Sequence, residues 1–231
     1  MGLRIAIDGP AGAGKSTVTA RVADAFGLPK LDTGAIYRTL ALAALRGGVS
    51  WEDPRALAEL ARTMPLRFEG GSGGAPLRVR LGEEDVSAAI RTPEMSKGSS
   101  IVSQHAAVRA ALLPVQRRLA AGGVVAEGRD IGSVVLPDAE VKIFLTASAR
   151  ERARRRQLEL RERGIERGLE DVLAEQNVRD ERDSTRATAP LRAAPDALVM
   201  DTDGLTLEQV VERVIAVVAE RTGRQPLGPR G

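Results

Sequence analysis

Gly9-Pro10-Ala11-Gly12-Ala13-Gly14-Lys15-Ser16 follows a short apolar run, Leu3 to Asp8. It precedes Ser16 to Phe26, where Val18, Val22, Ala25 and Phe26 recur at helical spacing. The octet fits G-x-x-x-x-G-K-[ST] in the one context that gives the pattern meaning, between a strand and a helix. Glycines let backbone N–H groups turn inward around a phosphate, and the helix N-terminus at Lys15 to Thr17 adds partial positive charge. Lys15 is placed to reach the β- and γ-phosphates of a nucleoside triphosphate, and the Ser16 hydroxyl to bind Mg²⁺. The expected triphosphate site is thus Gly9, Pro10, Ala11, Gly12, Ala13, Gly14, Lys15, Ser16 and Thr17. By average composition a chance match occurs in about one chain in a hundred of this length, and the strand–helix context lowers that further.

Further short aliphatic runs bounded by Gly, Pro or Asp read as buried strands: Gly123 to Ala126, Val141 to Leu145 and Ala197 to Met200. Their alternation with helical stretches predicts an α/β fold, a parallel P-loop sheet flanked by helices. Two segments depart from that rhythm. Residues 47–98 hold the Gly70 to Gly74 cluster and then Leu77 to Leu81, where Leu77, Val79 and Leu81 alternate with Arg78 and Arg80 as in a half-exposed antiparallel strand. They read as an inserted subdomain. Residues 149–186 carry eleven arginines and ten acidic residues over 38 positions, too little apolar surface for a core of their own, and read as a mobile lid. That leaves 1–46, 99–148 and 187–221 as the P-loop core and 222–231 as a flexible tail.

Composition narrows the function. With no cysteine there are no disulfides, thiolate metal sites or cysteine nucleophiles. Neither an export signal nor a run of about 18 apolar residues occurs, so a cytoplasmic protein with no membrane partner is expected. The basic residues are almost all arginine; the lysines are Lys15, Lys30, Lys97 and Lys142. Arginine forks suit phosphates. Nucleic acid is not the expected partner, because Phe26, Tyr37, Trp51, Phe68 and Phe144 are scattered singly and form no stacking platform.

An ordered set of blocks then makes the chain resemble the bacterial cytidylate kinases, of the nucleoside monophosphate kinase group. The blocks are Ile5-Ala6-Ile7-Asp8-Gly9-Pro10, Leu31-Asp32-Thr33-Gly34-Ala35-Ile36-Tyr37-Arg38, Glu127-Gly128-Arg129-Asp130-Ile131-Gly132, Val141-Lys142-Ile143-Phe144-Leu145 and Arg179-Asp180-Glu181-Arg182-Asp183. The resemblance covers about residues 3 to 221. It implies transfer of the ATP γ-phosphate to CMP, and to dCMP, in pyrimidine metabolism, using Mg²⁺ with ATP; a monomer is the separate expectation. By the same resemblance Arg38, Arg129 and Arg186 grip the acceptor phosphate and Ser100, Arg109 and Asp130 read the cytosine edge. Thr33, where the family usually has serine, lies in the same pocket, and Arg179 and Asp183 face the sugar.

Cytosine presents an amino donor beside two acceptors, so a reader needs a carboxylate and a cationic donor, as Asp130 and Arg109 provide. The bland reading is a surface turn at Arg129-Asp130 and an Arg109 on a solvated helix face. After the expected cap Ser148, a helix opens with Arg150, Arg152, Arg154, Arg155 and Arg156. Arg152, Arg155 and Arg156 share a face. Glu151 with Arg155, and Glu159 with Arg163, can pair as an ordinary salt-bridged surface. In similar enzymes this helix belongs to a lid over the transferring phosphoryl group, which gives Arg152, Arg155 and Arg156, with Lys15 and Arg129, a catalytic role through charge stabilisation. His105, in the expected helix Ile101 to Leu113, reads as a helix-face residue. No base is needed, since a nucleoside monophosphate has a second pKa of about 6 and is already a nucleophilic dianion at neutral pH.

Two other readings stay open. A small P-loop kinase could act on shikimate, dephospho-coenzyme A or UMP instead. A GTP-dependent switch would need an [NT]-K-x-D segment, and the nearest string, Pro29-Lys30-Leu31-Asp32, lacks its first residue and lies early.

Overall fold

The computed structural model describes residues 2–70 and 77–227. A five-stranded, all-parallel sheet forms the centre, built from β1 (Arg4–Asp8), β2 (Lys30–Asp32), β6 (Val124–Gly128), β7 (Val141–Thr146) and β8 (Leu198–Asp201) in the order β2-β6-β1-β7-β8. The sheet is an α/β layer covered on both faces. The period of two assigns its side chains: Ile5, Ile7 and Val125 pack with Ile143 and Leu145 against α1 (Lys15–Phe26) and α8 (Leu207–Thr222). Ala6, Val124 and Ala126 face the other way, against α2 (Thr33–Arg46), α3 (Pro54–Thr63) and α5 (Ala106–Leu119). Because β1, β6 and β7 are buried on both faces, they are nearly continuous aliphatic runs, which is why they were visible in the sequence.

A separate three-stranded antiparallel sheet joins β3 (Leu66–Glu69), β4 (Arg78–Leu81) and β5 (Glu84–Asp85). Its Val79, with Val86 and Ile90, packs on α2 and on Met95 of α4 (Pro93–Val102). The outward Arg80 pairs with Glu69 at 2.8 Å, so the alternation in this strand is real. Of the glycine-rich run, residues 71–74 lie outside the described residues. The helix pair α6 (Ala149–Glu162) and α7 (Leu169–Thr185) has a core of only Ala153, Leu160 and Val172, edged by Ile165, Leu169 and Leu173. Beyond Gly223 the described tail has no regular structure, and its Leu227 N–H donates to the Ala25 carbonyl at 2.7 Å; residues 228–231 lie outside the described residues.

The expected helix Ile101 to Leu113 is in fact two helices. α4 ends at Val102 and α5 begins at Ala106, with His105 in extended backbone as the cap between them. The break has a local cause: Gln104 Nε2 and Ser103 Oγ donate to the Ser100 carbonyl, competing with the helical ladder. His105 is therefore not a helix-face residue; its ring Nε2 lies 2.8 Å from the Trp51 carbonyl. Trp51 sits in the seam of α2 and α4, donating Nε1–H to the Ala41 carbonyl at 2.9 Å. A Cβ on Gly98 would come within 2.7 Å of its ring, so α4 can approach only with glycine there. No helix among the described residues is long and apolar enough to cross a membrane.

Candidate active site

The functional side chains collect at the carboxyl ends of the parallel strands, where an open α/β sheet offers a crevice. There a cleft of about 660 Å³ opens between the phosphate loop, the start of α2, the wall of α4 and α5, the end of β6, and the α6–α7 pair.

The chain turns from β1 into α1 through left-handed glycines, with φ +77° at Gly12 and +81° at Gly14. A Cβ on Gly12 would meet the Arg152 carbonyl at 2.7 Å and the Gln176 amide at 2.9 Å, so the loop is packed directly beneath α6 and α7. Ala11, Gly12, Lys15, Ser16 and Thr17 line the cleft, while Gly9, Pro10, Ala13 and Gly14 shape the loop behind them. Lys15 is buried, and its ammonium donates to the Pro10 carbonyl at 2.6 Å. Burial first, and then the Arg129 guanidinium, push its pKa well below that of an ordinary lysine. A buried ammonium held on one carbonyl is a group ready to exchange that contact for a phosphate.

Glu127, which the sequence reading left without a role, closes β6 here. Its Oε2 accepts the Ser16 hydroxyl at 2.7 Å and its Oε1 lies 3.0 Å from the Lys30 ammonium. A hydroxyl and a carboxylate beside a phosphate loop are the hard oxygen donors that Mg²⁺ takes, along with nucleotide oxygens. No cluster of three or more acidic or histidine side chains among the described residues could hold a metal by itself. The residues therefore fit a cation that arrives with a nucleotide.

Across the cleft, Asp32 caps α2, accepting from the Ala35 N–H at 3.0 Å and from Arg38 at 2.8 Å, which aims Arg38 at the cavity. Burial would raise the Asp32 pKa, but the guanidinium of Arg38 and the ammonium of Lys30 outweigh it and hold the carboxyl low. Thr33 donates to the Glu127 carbonyl at 2.7 Å, and its Oγ1 would be 2.6 Å from a Cβ on Gly128, so α2 reaches β6 through the bare glycine. Asp8 is buried 4% exposed at the end of β1 and accepts from the Ile131 and Gly132 N–H groups, both at 2.8 Å. Those bonds fix the turn that presents Arg129 and Asp130. Burial raises the Asp8 pKa to about 6 despite the two backbone donors.

Arg109, from α5, is ion-paired with Asp130 and stacks its guanidinium 5.6 Å from the Tyr37 ring centre. Both partners are buried, so the solvated-surface reading fails for this pair. Arg186 lies 3.8 Å from Asp130 and 3.7 Å from Asp183. Arg129 donates to Asp183 at 2.9 Å. Burial would raise the Asp183 pKa, yet Arg129, Arg179 and Arg186 together hold it low. Arg179 is pressed the other way: burial, then Arg129, lower its pKa to about 10. Cations crowded so closely seek an anion.

The remaining expected residues are placed unevenly. Ser100 is buried with its Oγ unbonded among the described residues and does not line the cleft, whereas Ser99 and Ser103 of the same wall do. The Ser148 hydroxyl caps α6, accepting from the Glu151 N–H. Arg156 lines the cleft. Arg152 lies beneath it, donating to the Ala11 carbonyl at 3.0 Å and pairing with Asp180 at 2.6 Å. Arg155 turns to the far side, onto the Thr202 hydroxyl and carbonyl at 2.9 Å each, and to Glu151 at 2.8 Å.

A family model described as "Cytidylate kinase" matches residues 5–220. A cytidylate kinase of Syntrophotalea carbinolica is 50% identical over 220 residues, covering 95% of this chain and 93% of that protein. One of Geobacter sulfurreducens is 48% identical over 226 residues, 97% of this chain and 96% of that protein. A crystal structure of an uncharacterized protein from Eubacterium ventriosum superposes with a TM-score of 0.51 over 95% of this chain and 99% of its own, at 11% identity, and speaks for the fold alone. With a match spanning nearly the whole chain, and relatives this similar end to end, the chain belongs to the cytidylate kinase family.

Proposed function

We propose that the protein transfers the γ-phosphoryl group of ATP to CMP, and to dCMP, giving ADP and the corresponding diphosphate. Beyond membership of the family, the observation that carries this reading is the buried Arg109–Asp130 pair on the cleft floor. It offers a carboxylate to the cytosine amino group and a guanidinium to the carbonyl.

In this reading Lys15 and the loop from Gly9 to Thr17 hold the ATP phosphates. Arg38, Arg129 and Arg186 hold the acceptor phosphate, Arg179 and Asp183 face the sugar, and Thr33 and Ser100 belong to the acceptor pocket. Ser16 and Glu127 would hold Mg²⁺, which supplies neutralisation of charge on the β- and γ-phosphates when bound. The acceptor arrives as a dianion and needs no base. The chain's part is alignment of the two nucleotides, positive charge around the group in flight, and exclusion of water. For exclusion, residues 149–186 act as a lid and residues 47–98 as the acceptor-side subdomain; the thin core of α6 and α7 suits motion. Arg152, Arg155 and Arg156 travel with that lid.

An ADP-release assay across CMP, dCMP, UMP, AMP, GMP and shikimate tests the reading. CMP and dCMP should lead; a higher kcat/KM for UMP or shikimate would overturn it.

A further inference from the structure

The function above leaves Lys30 without a task. It opens β2 at the edge of the parallel sheet and is one of four lysines among 34 basic residues. Its side chain is 13% exposed. The ammonium donates to the Ser16 carbonyl at 2.7 Å and lies 3.0 Å from Glu127 Oε1. The other oxygen of that carboxylate holds the Ser16 hydroxyl. One carboxylate thus meets the proposed metal-holding hydroxyl on one side and a fixed cation on the other. The Lys30 ammonium is ion-paired with Oε1, which takes no other partner among the described residues, so that oxygen is where Lys30 and an arriving divalent cation would compete.

A positive charge at this distance weakens the attraction of Glu127 for a divalent ion. The same charge stands beside the phosphate loop when no metal is there, and so favours a bare triphosphate. We propose that Lys30 is a positioning residue of the metal site, competing with Mg²⁺ for Glu127 and so setting how strongly ATP binding depends on the metal. The proposal rests on the reading of Ser16 and Glu127 as the Mg²⁺-holding pair. Linkage gives it a measurable form. With Lys30 present, the ratio of the ATP Kd without metal to the Kd with Mg²⁺ is held down.

The test is calorimetric titration of ATP into the full chain, without acceptor, once in EDTA and once in saturating Mg²⁺. Lys30→Met removes the charge and keeps the stem; Lys30→Arg keeps the charge. The Kd ratio should rise about tenfold in Lys30→Met and stay within about threefold of wild type in Lys30→Arg. A ratio within about twofold of wild type in Lys30→Met, or equal weakening in both buffers, makes Lys30 a simple clamp between β2 and α1 and overturns the proposal. Should Lys30→Met fail to fold, Lys30→Gln keeps a donor to Ser16 without the charge and is judged by the same ratio. A wild-type chain that binds ATP in neither buffer is a different result, which overturns the phosphate-site reading and this proposal with it.

Discussion

Arg129, the first residue past β6, donates its Nε–H to Oδ2 of Asp183 on α7 at 2.9 Å, tying the central sheet to the α6–α7 pair across 54 positions of sequence. The Asp183 side chain is only 6% exposed and also faces Arg186. Asp183→Ala leaves buried guanidiniums without their counter-charge, a loss of about 3 kcal/mol. Urea unfolding of the two proteins measures it. A loss under about 1 kcal/mol would mean that water already compensates the pair.

Arg156 and Arg155, neighbours on α6, should separate in kinetics. Arg156 faces the cleft, whereas Arg155 is committed to Thr202 and Glu151. Arg156→Ala should lower kcat by about tenfold or more with the KM for CMP within about threefold, while Arg155→Ala chiefly lowers the melting temperature. Steady-state kinetics beside thermal unfolding decide it; equal kcat losses for both would mean that lid closure turns Arg155 inward.

Asp130 should govern base choice. A carboxylate only accepts, so it suits the cytosine amino group and repels the uracil carbonyl; an amide can turn its NH₂ to that carbonyl. In Asp130→Asn the ratio of kcat/KM for CMP over UMP should fall by roughly ten- to a hundredfold, one charged hydrogen bond of about 1.5–3 kcal/mol. A ratio within about threefold of wild type removes Asp130 from base reading.

Asp8 supplies a pH signature. Its pKa rises from the ordinary 3.8 to about 6 on folding, so the folded protein binds the proton more tightly. That contribution to stability is fully present below pH 3.8 and is lost as pH climbs through about 6. Asp8→Asn does not titrate. Relative to wild type, the variant should therefore gain about 1 kcal/mol of unfolding free energy between about pH 5 and pH 7.5. Denaturant titrations at both pH values check the sign; a relative stability independent of pH would place the Asp8 pKa near its ordinary value.

What the sequence made legible follows from burial. The strands β1, β6 and β7 are apolar and buried enough to announce themselves, and the phosphate loop is contiguous; β8, expected as a buried strand, is an edge strand in which Met200 is buried and Val199 is 56% exposed. β2 is three residues, Lys30, Leu31 and Asp32, of which only the middle one is buried, so no periodicity marks it. Glu127, Lys30 and Asp8 come together only through strand register, Asp32 opposite Glu127 and Asp8 opposite Gly128. A signal for Glu127 did exist: an acidic residue closing a fully buried aliphatic strand, inside a block already quoted for its neighbours. The divergence of Arg155 from Arg156 had none, because helical spacing fixes a face but not which neighbouring element that face meets.

The seam that holds Trp51 gives the protein an optical reporter of its own. The chain contains one indole, seated between α2 and α4 with its Nε1–H on Ala41 and its ring against Gly98. α4 brings Ser96 and Ser99 to the cleft. Tryptophan emission therefore arises from a single address one helix away from the acceptor cavity. A change in its colour on adding nucleotide would follow α4 moving against α2 in real time, without a label and without turnover.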